Sequence, residues 1–224
     1  MNSCLDCKIK SAAVKSLTSD ELENLGNNCA QVFFKKGDII IKEGAFSSNI
    51  IFLRSGLVKI HIAGPAKNQI TKITKAPSFL GIPTTLNEKI NHYSATAIEP
   101  TNVCFIDKDI FKDFIFKNGK FAYEVIVEIC SSELNSFEKC VNRTQRNIHG
   151  RLANALLTFA DDIYGKDEFD LPLSRVELGN FVDTSRESVC RILTEFNNDK
   201  LIRMNGKRIK ILNKKSLEAI RLYG

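Results

Sequence analysis

No stretch of this chain approaches the ~20 consecutive apolar residues that a membrane-spanning helix needs, although 43% of its 224 residues are hydrophobic. A spanning helix is therefore excluded, while the apolar content is ample for buried cores. The first residues lack a basic-then-apolar leader, so the expected location is the cytoplasm, away from membranes. Internal repeats and low-complexity segments are absent. So is any catalytic constellation: no nucleophile–base pair, no glycine-rich phosphate loop and no paired metal-binding histidines. An enzyme is not expected. Haem is not excluded, but only three histidines, His61, His92 and His149, are available for it, and none stands in a ligand motif. Cysteines number seven, an odd count that implies a reducing compartment with free thiols or metal ligands. The length suits two modest domains.

What is present is concentrated near the C-terminus, between Leu173 and Leu212. Ser174 and Glu177 form a capping box, and Leu178, Phe181 and Val182 give the helix that follows an apolar face. Gly179 allows close approach. Asp183 is the turn residue, since Asp tolerates positive φ better than most side chains. Thr184 or Ser185 caps a second helix, which buries Val189, Ile192, Leu193 and Phe196 at spacing i, i+3, i+4, i+7. Ser185, Arg186, Glu187, Ser188 and Arg191 stay outside. The plain alternative is a Glu187 that only completes a cap with Thr184, and an Arg191 that only pairs with Glu187 along the helix.

The segment after these helices favours nucleic acid. Asn205-Gly206 reads as a two-residue turn, and Ile209 and Ile211 alternate with Arg208 and Lys210 as in a half-buried strand. Residues 171–224 hold eleven Lys and Arg against six Asp and Glu, a surplus of five in a chain whose total is +6. The basic excess thus gathers beside the second helix, where phosphates would be met.

The N-terminal half reads as short strands: Asp38 to Lys42, Ile50 to Arg54, Leu57 to Ile62, Gln69 to Thr74, Tyr93 to Ile98 and Asn102 to Ile106. Many short strands between turns predict a small barrel or jelly roll. Helices are expected at Ser19 to Asn27 and Asp109 to Phe116. A long helix follows, from about Phe121 to Asn147. Val127, Cys130, Leu134, Phe137, Val141, Thr144 and Ile148 recur along it at steps of three and four, a heptad seam suited to a second copy of the chain. Phe121, Val125, Ile126 and Ile129 form a second stripe that can serve the barrel.

Ser185-Arg186-Glu187-Ser188-Val189-Cys190-Arg191 resembles the recognition helix of Crp/Fnr-type bacterial transcription regulators. The likeness extends over nearly the whole chain. His149-Gly150-Arg151-Leu152-Ala153 with Leu156-Leu157 resembles the start of the family's DNA-binding domain, and Phe52 to Lys59 resembles a strand-turn-strand of its sensor barrel. Asp183 departs from the usual glycine. The resemblance implies an α+β protein: an N-terminal double-stranded β-helix or jelly roll of cyclic-nucleotide-binding type (1–120), a dimerisation helix (121–148) and a C-terminal winged helix-turn-helix (149–224). It implies a homodimer on double-stranded DNA, at an inverted repeat with TGTGA-like half-sites, with RNA polymerase as a further partner. Arg186 and Arg191 would read guanines and Glu187 a cytosine. Thr184, Ser185, Ser188, Arg203, Lys207 and Arg208 would support the contact or hold phosphates. A signalling module that does not touch DNA is the alternative.

The signal is less legible. Family members that bind cyclic AMP carry a Gly-Glu pair and an Arg-Ser pair, where this chain has Gly81-Ile82-Pro83 and Tyr93-Ser94. The ribose-binding acid and phosphate-binding arginine are missing, and Phe137 follows Ser136 where two hydroxyls are common. Cyclic AMP is therefore disfavoured, and Gly81, Tyr93, Ser94, Ser136 and Phe137 mark an effector pocket of other chemistry. Cys4-Leu5-Asp6-Cys7 resembles the cysteine-rich segment of the oxygen-sensing Fnr branch, with Cys104 at the distal ligand position. Ala13 stands where that branch has its third nearby cysteine, and Cys29 can substitute only if the intervening helix folds back. The leading expectation is no cofactor, with an iron–sulfur cluster or zinc on Cys4, Cys7, Cys29 and Cys104 as alternatives. Cys130, Cys140 and Cys190 are expected to be packing residues.

Overall fold

The computed structural model describes Cys4, Cys7 and residues 9–224. The chain forms two compact units, Met1–Ala63 with Thr71–Glu133, and Gly64–Ile70 with Leu134–Gly224. No helix of the described residues is long and apolar enough to cross a membrane.

The first unit opens with α1 (Ala12–Lys15) and α2 (Ser19–Asn27), the latter held by a capping box between Thr18 and Glu21. The strands are β1 (Cys29–Phe34), β2 (Ile39–Ile41), β3 (Asn49–Ser55), β4 (Leu57–Ala63), β5 (Asn68–Lys75), β6 (Ser78–Leu80), β7 (Ser94–Ala97) and β8 (Thr101–Asp107). They make two four-stranded sheets, ordered β1-β8-β3-β6 and β2-β7-β4-β5. One core (Ile41, Ile51, Leu53, Val58, Leu80, Val103) unites residues from both sheets. The other face of the first sheet packs on helices through Leu22, Leu25, Phe52, Phe79, Phe111 and Phe121. Phenylalanine dominates that layer: Phe79 lies 5.1 Å from Phe52 and 5.5 Å from Phe111, which lies 5.2 Å from Phe121. A short α3 (Ile82–Asn87) follows β6.

After β8 come α4 (Lys108–Lys117) and the long α5 (Gly119–Gln145). Phe121 and Val125 of α5 are buried, but Ile126 and Ile129 are exposed, which corrects the expected barrel-facing stripe. Polar groups continue that face instead. Glu128 Oε1 accepts from the Phe79 N–H at 2.9 Å and from Ser78 Oγ at 3.2 Å, and Lys72 Nζ donates to Ser132 Oγ at 3.0 Å. The helix stops at Gln145, so Ile148 does not belong to it. Asn147 instead caps α6 (Ile148–Thr158), its side chain accepting from Gly150 N–H at 3.0 Å.

The second unit continues with a wide helical turn (Phe159–Tyr164), β9 (Glu168–Asp170), α7 (Arg175–Val182), α8 (Arg186–Asn198), β10 (Ile202–Asn205), β11 (Arg208–Ile211) and α9 (Lys214–Tyr223). Its sheet has the order β10-β11-β9. Asn205 pairs with Arg208, so the hairpin turn is Gly206-Lys207, one residue later than the Asn-Gly signal suggests. Gly206 supplies the positive φ, +59°, that this turn needs. The architecture is the α+β arrangement expected, with a jelly-roll-type sandwich, a long helix and a winged helix-turn-helix.

Candidate nucleic-acid interface and a thiol-lined cavity

The helix-turn-helix is built from local chemistry. Ser174 and Glu177 make the expected capping box at the start of α7. Asp183 ends that helix in the left-handed region at φ +58°, as the turn requires. The closeness of the two helices depends on Gly179, where a Cβ would meet the Thr184 carbonyl oxygen at 2.8 Å. Ser185, not Thr184, caps α8, with its side chain accepting from Ser188 N–H at 3.1 Å.

On α8 the predicted faces separate. Val189, Ile192, Leu193 and Phe196 are buried, while Arg186, Glu187 and Arg191 are exposed. Arg191 does not pair with Glu187. Its Nη1 donates to Glu195 Oε1 at 2.6 Å, and His149 Nε2 lies 2.9 Å from Glu195 Oε2. The contact with His149, then Arg191, holds the Glu195 carboxyl below its ordinary pKa. Glu187 is exposed, and its carboxyl is held below its ordinary pKa by its own backbone N–H and then by Ser185.

Two arginines, Arg151 of the 149–153 motif and Arg175, hold the frame in a way that their sequence positions do not announce. Arg151 donates through Nε to the Val182 carbonyl at 2.8 Å, through Nη1 to that of Arg146 at 2.8 Å and through Nη2 to that of Asp183 at 3.2 Å. Arg175 Nη2 donates to the Gly206 carbonyl at 2.9 Å, which seats the hairpin turn against α7. Of the expected phosphate partners, Thr184 is half-buried, Arg203 and Lys207 are exposed, and Arg208 is held by Glu168 at 2.6 Å.

The expected effector residues are divided. Gly81 and Tyr93 meet, the Gly81 N–H donating to Tyr93 Oη at 2.8 Å, and burial pushes the phenol's pKa up. Ser94 Oγ accepts from the Glu43 N–H at 3.1 Å. Ser136 and Phe137 are exposed and fall in the other unit.

The thiols show more order. Cys4, Cys7, Cys29 and Cys104 line one cavity of about 360 Å³, with Arg54, Gln31 and Glu23. The fold-back that Cys29 needed is present: Cys4 Sγ lies 3.7 Å from Cys29 Sγ, and Cys4 sits over Gly26 of α2. Cys104 lies on β8 opposite Gln31, two positions from the Cys29–Ile106 pair. A hydrogen bond with Cys29 lowers the pKa of Cys104 and raises that of Cys29, while Cys4 is raised by its bond to Cys29 and then by burial. Arg54 Nε is buried with no hydrogen-bond partner. Among the described residues no three His, Cys, Asp or Glu side chains are grouped to hold a metal ion. Cys130, Cys140 and Cys190 are exposed, so none of them packs within its own chain as expected; Cys130 lies on the seam face of α5. Each histidine has a neighbour: His61 meets Thr96 at 2.9 Å, His92 meets Glu88 at 2.6 Å, and His149 meets Glu195.

Comparison with known proteins bears on both units. Residues 31–118 match the cyclic nucleotide-binding domain, and residues 150–220 match the Crp-like helix-turn-helix domain. The chain is 26% identical over 218 residues to the fumarate and nitrate reduction regulatory protein of Vibrio cholerae, covering 94% of this chain and 86% of that protein. It is 26% identical over 216 residues to the regulatory protein HlyX of Actinobacillus pleuropneumoniae, covering 93% and 89%. The solved structure of FixK2 from Bradyrhizobium japonicum has the same fold, with a TM-score of 0.78 at 16% identity over 86% of this chain and 96% of that one.

Proposed function

Since the chain belongs to the Crp/Fnr family of DNA-binding transcription regulators, we propose that it acts in the cytoplasm as a homodimer on an inverted repeat of TGTGA-like half-sites. The observation that carries this reading is the surface of α8. Arg186, Glu187 and Arg191 stand clear of the core on a helix whose other face is fully buried. Arginine forks suit guanine O6 and N7, and a carboxylate suits cytosine N4. Arg203 and Lys207 supply phosphate contacts beside them. A two-fold dimer would place the half-site centres about 34 Å apart. The division of labour is a sensor at 1–120, a dimerisation helix at 121–148 and a DNA-binding domain at 149–224. RNA polymerase is the further partner that the family supplies. Belonging to a DNA-binding family removes the alternative of a module that never touches DNA, and its role is regulatory rather than enzymatic.

Fluorescence anisotropy on an inverted TGTGA repeat, with a salt titration, tests the reading. Arg186→Ala should cost about 1–3 kcal/mol per half-site and relax preference at one base pair. Equal weakening on every sequence would remove the base-reading role.

Cyclic AMP does not suit the barrel. The Gly81 N–H, a donor of the kind a phosphate needs, is already bonded to Tyr93. The acid and arginine that would hold ribose and phosphate are absent from Gly81-Ile82-Pro83 and Tyr93-Ser94.

A second reading, an iron–sulfur cluster, is favoured by the four thiols around one cavity. A single zinc held by the same four thiolates at about 2.3 Å is the smaller alternative. A cavity of about 360 Å³ suits a larger polynuclear group. Such a group carries negative charge through its thiolates, and the unpartnered Arg54 Nε at this cavity is the matching counter-charge. Cys4, Cys7, Cys29 and Cys104 would hold it, and when bound it supplies one-electron redox chemistry. Iron, sulfide and zinc content of protein purified without oxygen tests this. Stoichiometric iron and sulfide support it, and a colourless metal-free protein removes it.

A further inference from the structure

We propose that Cys4 and Cys29 form a reversible disulfide, which makes the thiol cavity a site of oxidation by hydroperoxides. The two sulfurs are in van der Waals contact at 3.7 Å although 25 residues separate them in sequence. A disulfide needs about 2.05 Å between sulfurs and Cβ atoms about 3.5–4.5 Å apart. One partner is anchored: Cys29 begins β1 and is locked in register opposite Ile106 of β8. The other lies across Gly26, the residue whose carbonyl Cys29 Sγ approaches at 3.7 Å.

The neighbouring thiols are worse placed. Cys7 Sγ donates to the Ile9 carbonyl at 3.1 Å, and so points into its own chain. Cys104 also hydrogen-bonds to Cys29, but it sits diagonally from it across an antiparallel pair, two registers away, and β8 is held on both sides by β1 and β3. A bond between neighbouring strands at that offset would have to bend the ladder. Cys4 itself lies outside every strand.

The chemistry balances with hydrogen peroxide, the simplest hydroperoxide, as oxidant. The hydrogen bonds and burial that raise the pKa of Cys4 and Cys29 disfavour a standing thiolate, so the attacking thiol gives up its proton as it meets the peroxide oxygen; the O–O bond breaks, and water leaves with a sulfenic acid on that sulfur. The second thiol attacks the sulfenic sulfur, the S–O bond breaks, and a second water carries away the remaining proton and oxygen. Two electrons pass from two thiols to one peroxide, and one S–S bond forms. The bond ties the N-terminal segment to the edge of the sheet and consumes two of the four sulfurs. The cavity can then hold a disulfide or a four-thiolate group, not both. The inference needs only the thiols, and stands or falls apart from the iron–sulfur reading.

Peptide mapping of the full-length chain tests it. The protein is reduced, freed of metal with a chelator, exposed to one equivalent of hydrogen peroxide, alkylated, and cut with trypsin without reduction. The expected product joins residues 1–8 to residues 16–35, is retained in Cys7→Ser, is lost in Cys4→Ser and Cys29→Ser, and reverts with dithiothreitol. A bridge inside residues 1–8, a bridge from residues 16–35 to 90–108, or full alkylation of Cys4 and Cys29 overturns it. The wild-type map decides the matter even where a variant folds poorly.

Discussion

Arg191 Nη1 donates to Glu195 Oε1 at 2.6 Å, one helical turn further along α8, so the arginine that should read a base is tied to its own helix in the free protein. The pair is exposed, and exposed ion pairs contribute little and are screened by salt. Glu195 therefore restrains Arg191 only weakly. Glu195→Gln should change affinity for the inverted repeat by less than about threefold, whereas Arg191→Ala should weaken binding about tenfold or more per half-site. Anisotropy at two salt concentrations measures both. A Glu195→Gln effect as large as that of Arg191→Ala would mean that the pair, not the free guanidinium, meets the base.

Arg151 carries a different kind of weight. Its guanidinium satisfies carbonyls in two pieces of backbone, Arg146 after α5 and Val182-Asp183 at the end of α7. Removing it leaves these acceptors short of a charged donor. Arg151→Ala should destabilise by about 1–3 kcal/mol in urea unfolding. DNA binding should fall uniformly over all sequences, because the whole recognition helix shifts and every base-reading side chain shifts with it. A base-specific effect would refute the framing role.

The turn between α7 and α8 makes a paired prediction. Asp183 sits at φ +58°, a conformation that a Cβ disfavours and glycine accepts. Asp183→Gly should be neutral or stabilising by up to about 1 kcal/mol. Gly179 has the opposite constraint, since the space a Cβ would need is filled by backbone: the Thr184 oxygen would stand 2.8 Å from it. Gly179→Ala should cost about 1–3 kcal/mol through overpacking. Thermal unfolding of the two variants should move in opposite directions or leave Asp183→Gly unchanged.

These residues show what can be read without coordinates. Caps, turns and buried faces obey local rules, so Ser174, Asp183 and the apolar side of α8 are legible in the sequence, as is α2 in full. Contacts remote in sequence are not. Arg151 matters because of where the α7 carbonyls end, and Arg175 because of where the hairpin turn lies. β1 and β6 escape for another reason: most of β1 is exposed and β6 has three residues, so neither shows the alternation that marks a strand. At the thiol cavity the Cys-x-x-Cys pair is plain in the sequence. The arrival of Cys29 depends on two helices turning the chain back over the sheet, which no spacing rule encodes.

The seam on α5 supports the last prediction. Leu134 is 63% exposed and Phe137 58%, with Val127, Cys130 and Val141 also open on the same face. Thr144 completes that face but turns its hydroxyl to the Cys140 and Val141 carbonyls, and the helix ends before Ile148, so the apolar part of the seam runs from Val127 to Val141. Side chains of this size at heptad spacing bury favourably against a like helix, and a two-fold axis makes the contact self-complementary. Charge at its centre would have to be desolvated twice in the dimer. Leu134→Glu should therefore sediment as a monomer, and the wild-type chain as a dimer. Its affinity for the inverted repeat should fall by about a hundredfold or more as the second half-site loses its tether. Binding to a single half-site should stay within about twofold, since α8 is untouched. A variant that remains dimeric would place the interface on another surface. One that is monomeric but keeps full affinity would mean that DNA, not α5, joins the two copies.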